Sequence, residues 1–388
     1  MNDQIRVGII GTGFTVGIAN SHLKAYARCE HTRVAACYDK IPGRCRVFLD
    51  RFHERNPQVE GVEDIHICDT LEELFSMVDA VSLCVPNSEH VPLAIRAMEA
   101  GKHVIVEKPF ALNTEQAREA VRVSREHPEL VAMNAFNFRE EPGNMYIREL
   151  VQSGVLGEIR FVRMLYGGGR INNAEGVFLE WRTREEKSGT GSMGDFGAHA
   201  LDSEDWIFTP VCGPLVAFNA VAALNIPQRY LIDERDVMGG KLGQEKGPVT
   251  NDDSAQLSGV TASGTLFTLM TSRMNFLGNE YEVVGSNGCV QSSGRWAPGT
   301  VGLMLKDRPV PGQTEITGRM MQVEIPEHIM KEGDLAVGHY GVVCEFADCI
   351  LNEKKPVRSL ERGLYIQEEI DLFARSAAEG RTIYREAH

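Results

Sequence analysis

Several things are missing from this sequence of 388 residues. There is no cationic excess: 40 Lys and Arg stand against 54 Asp and Glu, a formal charge of −14. Nucleic acids and acidic membrane faces are recognised by clustered positive charge, so neither is an expected partner. No apolar run approaches the ~18 residues that a membrane span needs. No internal repeat is visible. The nine cysteines include no Cys-x-x-Cys pair, and Cys37 and Cys84 lie inside apolar runs. This argues against a disulfide framework or zinc ribbon and for reduced, mostly buried thiols. A strand-like run begins already at Ile5, leaving no room for a signal peptide, so a cytoplasmic location is expected. Hydrophobic and charged contents of 43% and 24% are ordinary, and the length accommodates two or three domains. Glycine alone is in excess, with 38 residues.

What is present begins with an apolar run, Ile5–Ile10, ending in Gly11-Thr12-Gly13. A helical pattern through Ile18, Leu23 and Ala27 follows, then a second strand-like run closed by Asp39. Glycines in such a strand–turn–helix let the backbone approach a pyrophosphate, which rests on the N–H groups of the helix N-terminus, while Asp39 is placed to accept from an adenosine ribose. The third glycine of a G-x-G-x-x-G turn would fall at Val16, with Gly17 one place late, as if the turn carried an inserted residue. The alternation continues with a buried run at 79–85 before Pro86-Asn87, and a helix with Val91, Ala94, Ile95 and Met98 on one face. Strands at 102–106, ending in Glu107-Lys108-Pro109, and at 130–135 complete it, with Asn113 and Gln116 as a capping box between them. Strands alternating with helices predict a doubly wound parallel sheet with its ligand at the strands' C-terminal ends, where loops 11–17, 86–90 and 107–110 gather.

After about residue 137 the rhythm changes to strand pairs, such as 255–261 with 265–273 and 280–284 with 289–292. The expected fold is α/β: a parallel domain over 1–137, then an α+β domain over 138–388 with a large, mainly antiparallel open sheet. The polar, Gly-rich segment 233–252 reads as a loop bordering a site. Pro356 and Ser359 precede a closing amphipathic helix that runs to about Ala378.

In the second half, Asp195 and His199 are four apart, which on one helix places both side chains on one face. A carboxylate orienting an imidazole suits a general base near neutral pH. A solvated helix bearing Asp202, Glu204 and Asp205 is the competing reading, and a zinc site has no clustered Cys or second His behind it. Lys108 stands at the end of a nucleotide-binding strand and is followed by proline.

Gly11-Thr12-Gly13, Pro86-Asn87 with His90, and AGKHVIVEKPFA at 100–111 closely resemble the glucose–fructose oxidoreductase, inositol dehydrogenase and rhizopine catabolism (Gfo/Idh/MocA) family. Residues 189–202 resemble its D-x-G-x-H-x-x-D signature, and the likeness covers nearly the whole chain. The resemblance implies a Rossmann domain, a nicotinamide cofactor, and a sugar, glycoside or cyclic polyol substrate such as inositol. It also implies a homodimer or homotetramer built through the C-terminal sheet. Cofactor contacts are implied for Gly11, Gly13, Phe14, Asp39, Pro86, Asn87, His90, Glu107 and Lys108. Lys108, Asp195 and His199 are the implied catalytic set, with Tyr166, Trp181 and Arg182 joining Asp195 and His199 around the substrate, and no metal. A cis peptide before Pro109 is implied as well.

The expected reaction is hydride transfer between a secondary alcohol and nicotinamide, with His199 as acid/base, Lys108 stabilising the alkoxide, and Asp195 holding the imidazole or a neighbouring hydroxyl. Asp39 favours NAD by repelling a 2′-phosphate, while nearby Lys40 and Arg44 leave NADP open. The same residues would serve redox-assisted glycoside cleavage with recycled NAD, or glycoside oxidation at C3. Tyr166, Phe178 and Trp181 would accommodate an aglycone. A non-catalytic NAD-sensing regulator is the remaining class, against which the complete Lys108, Asp195 and His199 set argues.

Overall fold

In the computed structural model, residues 4–14, 17–168, 178–233, 236–237, 242–274, 278–336 and 338–385 are described. The first sheet is wholly parallel. Its strands are β1 (Ile5–Ile10), β2 (Thr32–Tyr38), β3 (His66–Ile67), β4 (Ala80–Leu83), β5 (His103–Val106) and β6 (Ala132–Asn134), in the order β3-β2-β1-β4-β5-β6. Between them run α1 (Ile18–Arg28), α2 (Arg44–Arg55), α3 (Leu71–Met77), α4 (Asn87–Glu99) and α5 (Thr114–Glu126). β4 is buried throughout, as a central strand covered on both faces must be. Side chains set the helix starts: Thr70 accepts from Glu73 N at α3, and Asn113 accepts from Gln116 N at α5. The strand order reverses between β1 and β4, opening a crevice at their carboxyl ends.

The second half opens with α6 (Pro142–Gln152), β7 (Ile159–Gly167), β8 (Phe178–Leu179), α7 (Glu185–Ser188), α8 (Ser192–Asp195) and α9 (Gly197–Cys212). Strands follow as β9 (Leu215–Ala223), β10 (Gln228–Ile232), β11 (Leu242–Pro248), β12 (Ser254–Thr261), β13 (Leu266–Ser272), β14 (Glu280–Gly285), β15 (Gly288–Ser292), β16 (Thr300–Leu305) and β17 (Met321–Glu324). The chain ends with α10 (Glu327–Ala336), α11 (His339–Leu351), α12 (Leu360–Glu379) and β18 (Ile383–Tyr384). Nine strands form one sheet in the order β17-β16-β15-β14-β7-β13-β12-β9-β18, antiparallel except where β7 meets β13. Helices α6, α9 and α12 bury one face of it, with Leu257, Phe267, Leu269, Phe208 and Phe373 in the shared core. Helix α11 returns to the first sheet, where Val342, Val343 and Phe346 pack on Ile5, Val7 and Tyr26.

One expectation fails. Residues 242–248, read as loop, form β11 and pair antiparallel with β10 in a separate three-stranded sheet. Gly243, Gln244, Glu245 and Lys246 are exposed on it, and an edge strand open to water needs no apolar alternation to advertise itself. Residues 234–235 and 238–241 of that segment lie outside the described residues. Among the described residues no helix is long and apolar enough to cross a membrane.

Candidate active site

The chain leaves β1 through Gly11 at φ +93°, a backbone that favours glycine, and an added Cβ would lie 2.6 Å from the Cys84 carbonyl oxygen. Nothing stands within 4 Å of a Cβ built on Gly13, so the loop is open on its cavity side. Gly17, at φ +70°, is the N-cap of α1, with no side chain capping the helix. The glycine therefore stands one place late, as the sequence indicates, and the helix N-terminus is left for an anion. Asp39 Oδ2 accepts from the Thr12 backbone N–H at 2.8 Å and from its hydroxyl at 3.2 Å, tying β2 to the glycine loop. Arg44 lies 3.7 Å from Asp39 Oδ1, and both line the cavity with Lys40.

At the end of β4, Asn87 Nδ2 donates to the Ser188 carbonyl at 2.9 Å, linking α4 to α7, while its buried Oδ1 has no partner. His90 bridges the two strand ends from α4: Nδ1 is 2.8 Å from the Pro109 carbonyl and Nε2 is 3.0 Å from that of Val85. The Lys108–Pro109 peptide is cis, as the resemblance implies. An open glycine loop, an uncapped helix end, a carboxylate at the end of β2 and an orphaned Asn87 acceptor fit an extended dinucleotide.

Lys108 Nζ donates to Asp195 Oδ1 and to the Asp195 carbonyl, both at 3.0 Å. Arg273, which the sequence reading missed, brings Nε to 3.6 Å from Asp195 Oδ2 and is almost wholly buried. Its other nitrogens donate to Asn251 Oδ1 at 3.2 Å and to the Arg182 carbonyl at 2.8 Å. Burial opposes ionisation of Asp195, but Lys108, Arg273 and Arg182 outweigh it and hold the carboxyl well below the usual range. No single residue type at a strand end marks Arg273 out; it is recognisable only once β13 is placed beside α8.

His199 departs from expectation. Asp195 closes α8 and His199 belongs to the next helix, α9, so the four-residue spacing does not place them on one helical face. Asp195 spends its carboxylate on cations and does not orient the imidazole. The His199 ring instead stacks on Phe138, centroids 4.0 Å apart and planes 8° apart, and its buried Nδ1 has no partner. Burial first, and the Lys108 charge second, push the imidazole well below its ordinary value, leaving it neutral.

These groups share one cavity of about 780 Å³, lined by Gly11, Gly13, Phe14 and Asp39 together with Lys108, Trp181, Arg182, Asp195, His199 and Arg273. Pro86, Asn87, His90 and Glu107 line it as well. Tyr166 does not. It is fully buried with its hydroxyl hydrogen-bonded to that of Tyr281, because β7 turns the residue into the helix-covered face of the sheet. Two further residues went unread, His22 and His339, which flank Glu107 at 2.9 and 2.7 Å. The two ring nitrogens and the carboxylate oxygen lie within 4.8 Å of one another, and both rings bond to that oxygen.

A family model described as "Oxidoreductase family, NAD-binding Rossmann fold" matches residues 5–135, and one described as "GFO/IDH/MocA C-terminal domain" matches residues 145–291. The chain is 29% identical over 300 residues to levoglucosan dehydrogenase of Pseudarthrobacter phenanthrenivorans, across 74% of this chain and 73% of that one. It is 36% identical over 227 residues to D-glucoside 3-dehydrogenase of Escherichia coli, across 58% and 57% of the two chains. A solved structure of levoglucosan dehydrogenase in complex with NADH matches the fold over 100% of both chains, with a TM-score of 0.81 at 21% identity.

Proposed function

The chain belongs to the Gfo/Idh/MocA family of NAD-dependent oxidoreductases, and from that premise we propose that it oxidises a secondary alcohol of a sugar, glycoside or cyclic polyol, or catalyses the reverse reduction. The observation that carries the reading is the convergence of Lys108, Asp195 and His199 on the cavity that also holds Gly11, Gly13 and Asp39. Bound NAD supplies the hydride acceptor. The glycine loop with Phe14, the Asp39 carboxylate, and Pro86, Asn87, His90, Glu107 and Lys108 along the strand ends are the groups that hold it. The ion pair of Arg182 with Glu180 beside Trp181 sets polar groups against an apolar ring, a mixture suited to a sugar.

In this mechanism a substrate hydroxyl lies between Lys108 Nζ and His199 Nε2. Asp195 holds the Lys108 ammonium in place toward the oxygen, where it stabilises negative charge as it develops. The hydroxyl proton passes to His199 Nε2. Because Nδ1 has no acceptor, the resulting imidazolium is costly by about 1–3 kcal/mol and hands its proton on quickly. A second reading, oxidation of a glycoside at C3, alone or as the first step of cleavage, draws support from the likeness to D-glucoside 3-dehydrogenase. Nine free cysteines support a cytoplasmic location, and the open face of the second sheet supports a homo-oligomer.

The test is to incubate the protein and NAD with inositols, free sugars and glycosides, following reduced cofactor and released aglycone together. Reduced cofactor without aglycone supports dehydrogenation, and aglycone without net reduction supports cleavage. Silence across the panel would favour a regulator and sink the reading.

A further inference from the structure

Strand β3 lies at the edge of the parallel sheet, and the chain leaves it for α3 through Cys68, Asp69 and Thr70. Alternate residues of an extended segment point the same way, so His66 and Cys68 share a face. Glu73 returns to that face from the first turn of α3. One ring nitrogen of His66, the Cys68 sulfur and one carboxylate oxygen of Glu73 lie within 4.8 Å of one another. Imidazole nitrogen, thiolate sulfur and carboxylate oxygen are the three kinds of ligand that zinc takes from proteins.

The carboxylate is already fixed. Glu73 Oε2 accepts the Asp69 backbone N–H at 2.8 Å, and Glu73 N donates to the Thr70 hydroxyl at 3.1 Å, a reciprocal cap of the helix start. Such a bond to the far oxygen is what usually orients a ligating carboxylate. Oε1 is left for His66, whose Nε2 lies 2.8 Å away. Zinc bonds of about 2.0–2.1 Å in a tetrahedron set nitrogen and oxygen about 3.3 Å apart, so the pair has only ~0.5 Å to open.

The thiol is the group that the fold does not otherwise explain. Cys68 is 4% exposed, forms no disulfide, and has no hydrogen-bond partner among the described residues. The surrounding charge favours a cation. No Lys or Arg occurs between Arg55 and Arg96, while Asp69, Glu72 and Glu73 gather at the start of α3. Arg96 is engaged by Glu72 at 2.7 Å.

We propose that His66, Cys68 and Glu73 bind a zinc ion, with water in the fourth position on the exposed side. On binding, the Cys68 S–H bond gives way to a sulfur–zinc bond and the proton leaves to water. His66 moves its Nε2 proton to Nδ1, on a ring that is half-exposed. None of the three ligands lines the cavity, but Leu71 does, so the ion braces the loop that leads into the cavity wall. The site stands apart from the proposed reaction, and a silent substrate panel does not bear on it.

The test takes the full chain, stripped with a chelator, and titrates it with Co²⁺ and then Zn²⁺. Co²⁺ is expected to bind as a single equivalent in tetrahedral form, with strong visible bands and a thiolate-to-metal charge-transfer band, and Zn²⁺ to displace it. Cys68→Ser removes the charge-transfer band, and His66→Gln weakens Zn²⁺ about tenfold or more. Cys289→Ser and Cys344→Ser, at the two half-buried thiols, leave both readings unchanged. Glu73→Gln, which keeps an acceptor for the Asp69 N–H, weakens Zn²⁺ too and serves if Cys68→Ser does not fold by circular dichroism. A pale octahedral spectrum, or a charge-transfer band that survives Cys68→Ser, places the ion on surface carboxylates or on another thiol and overturns the proposal.

Discussion

The Asp195 carboxylate sits 3.0 Å from the Lys108 ammonium and leaves the His199 ring, four residues further on, without an acceptor at Nδ1. The acid pairs with the lysine, so in the proposed reaction its part is to fix that charge. Lys108→Ala is expected to lower kcat by about 10²–10⁴ while cofactor still binds. Asp195→Asn takes the carboxylate away from Lys108 and Arg273, so it is expected to lower kcat by at least about tenfold while cofactor still binds. Steady-state rates with NAD binding measured in parallel check both. Full activity in Lys108→Ala ends the assignment.

His199 leads to an expectation about pH. Burial and the Lys108 charge hold its imidazole well below the ordinary value, so its charge change is moved to the acid side of the usual histidine range. The profile of kcat/KM should therefore show no acid limb near the usual histidine value of about 6.5. Phe138→Ala removes the stacked ring and admits water, which lets the imidazole ionise more easily. Its profile should gain a limb in which activity falls as pH drops toward 6. An acid limb in the parent enzyme that disappears in His199→Gln would contradict this account.

The first sheet was legible because buried parallel strands are continuous apolar runs, as in β1 and β4, bounded by glycine or proline. Strand β3 was not, since two residues carry no period. In the site, Gly11, Asp39, Lys108 and His199 stand out because local spacing ties each to a turn or strand end. Arg273, His22 and His339 act through contacts with Asp195 and Glu107 across 78, 85 and 232 residues of chain. Nothing in their immediate neighbours records those partners. Tyr166 shares the helix-covered face of β7 with Val162 and Met164, which turns it away from the cavity, and the supposed helix through Asp195 and His199 is broken because Phe196 separates two helices there.

Stability should fall as the solution becomes more basic through neutrality. Burial raises Glu369 to about 7 and Glu141 to about 7, and raises Glu204, which also faces Glu369 and Asp205, well above its ordinary value. The folded protein thus holds protons that the unfolded chain has released above about pH 4.5. That stabilisation is complete below the unfolded values and disappears as pH rises through the folded ones. Asp195 works with the opposite sign, but its contribution disappears only in acid, as pH falls through its depressed value. Four histidines held below their ordinary value, His22, His90, His103 and His199, oppose this up to about pH 6.5, so the melting temperature is expected to drop by a few degrees between about pH 7 and about pH 8.5. Glu369→Gln, which cannot ionise, should flatten the slope. A melting temperature that climbs over this interval would refute the account.

The outer face of the large sheet gives the last expectation. One row across it reads Val221, Gln256, Met270 and Leu165 on β9, β12, β13 and β7, the next reads Asn219, Ser258, Thr268 and Arg163, and beyond it Val260 pairs with Leu266 and Phe161. Val221 is 63% exposed, Met270 49%, Leu266 45% and Val260 36%, while alternate residues of the same strands, such as Leu257 and Leu269, are wholly buried under the helices. Single exposed apolar residues are ordinary, but two apolar rows flanking a polar one on the same sheet face make a surface that another surface can cover. A second copy offering the same face satisfies this isologously, each row meeting its equivalent across a two-fold axis. Light scattering on the purified protein is expected to give a dimer or tetramer. Leu266→Asp with Met270→Asp should shift it toward monomer and leave NAD binding unchanged, because both side chains lie on the face away from the cavity-bearing helices. A monomeric parent protein at micromolar concentration would rule this interface out.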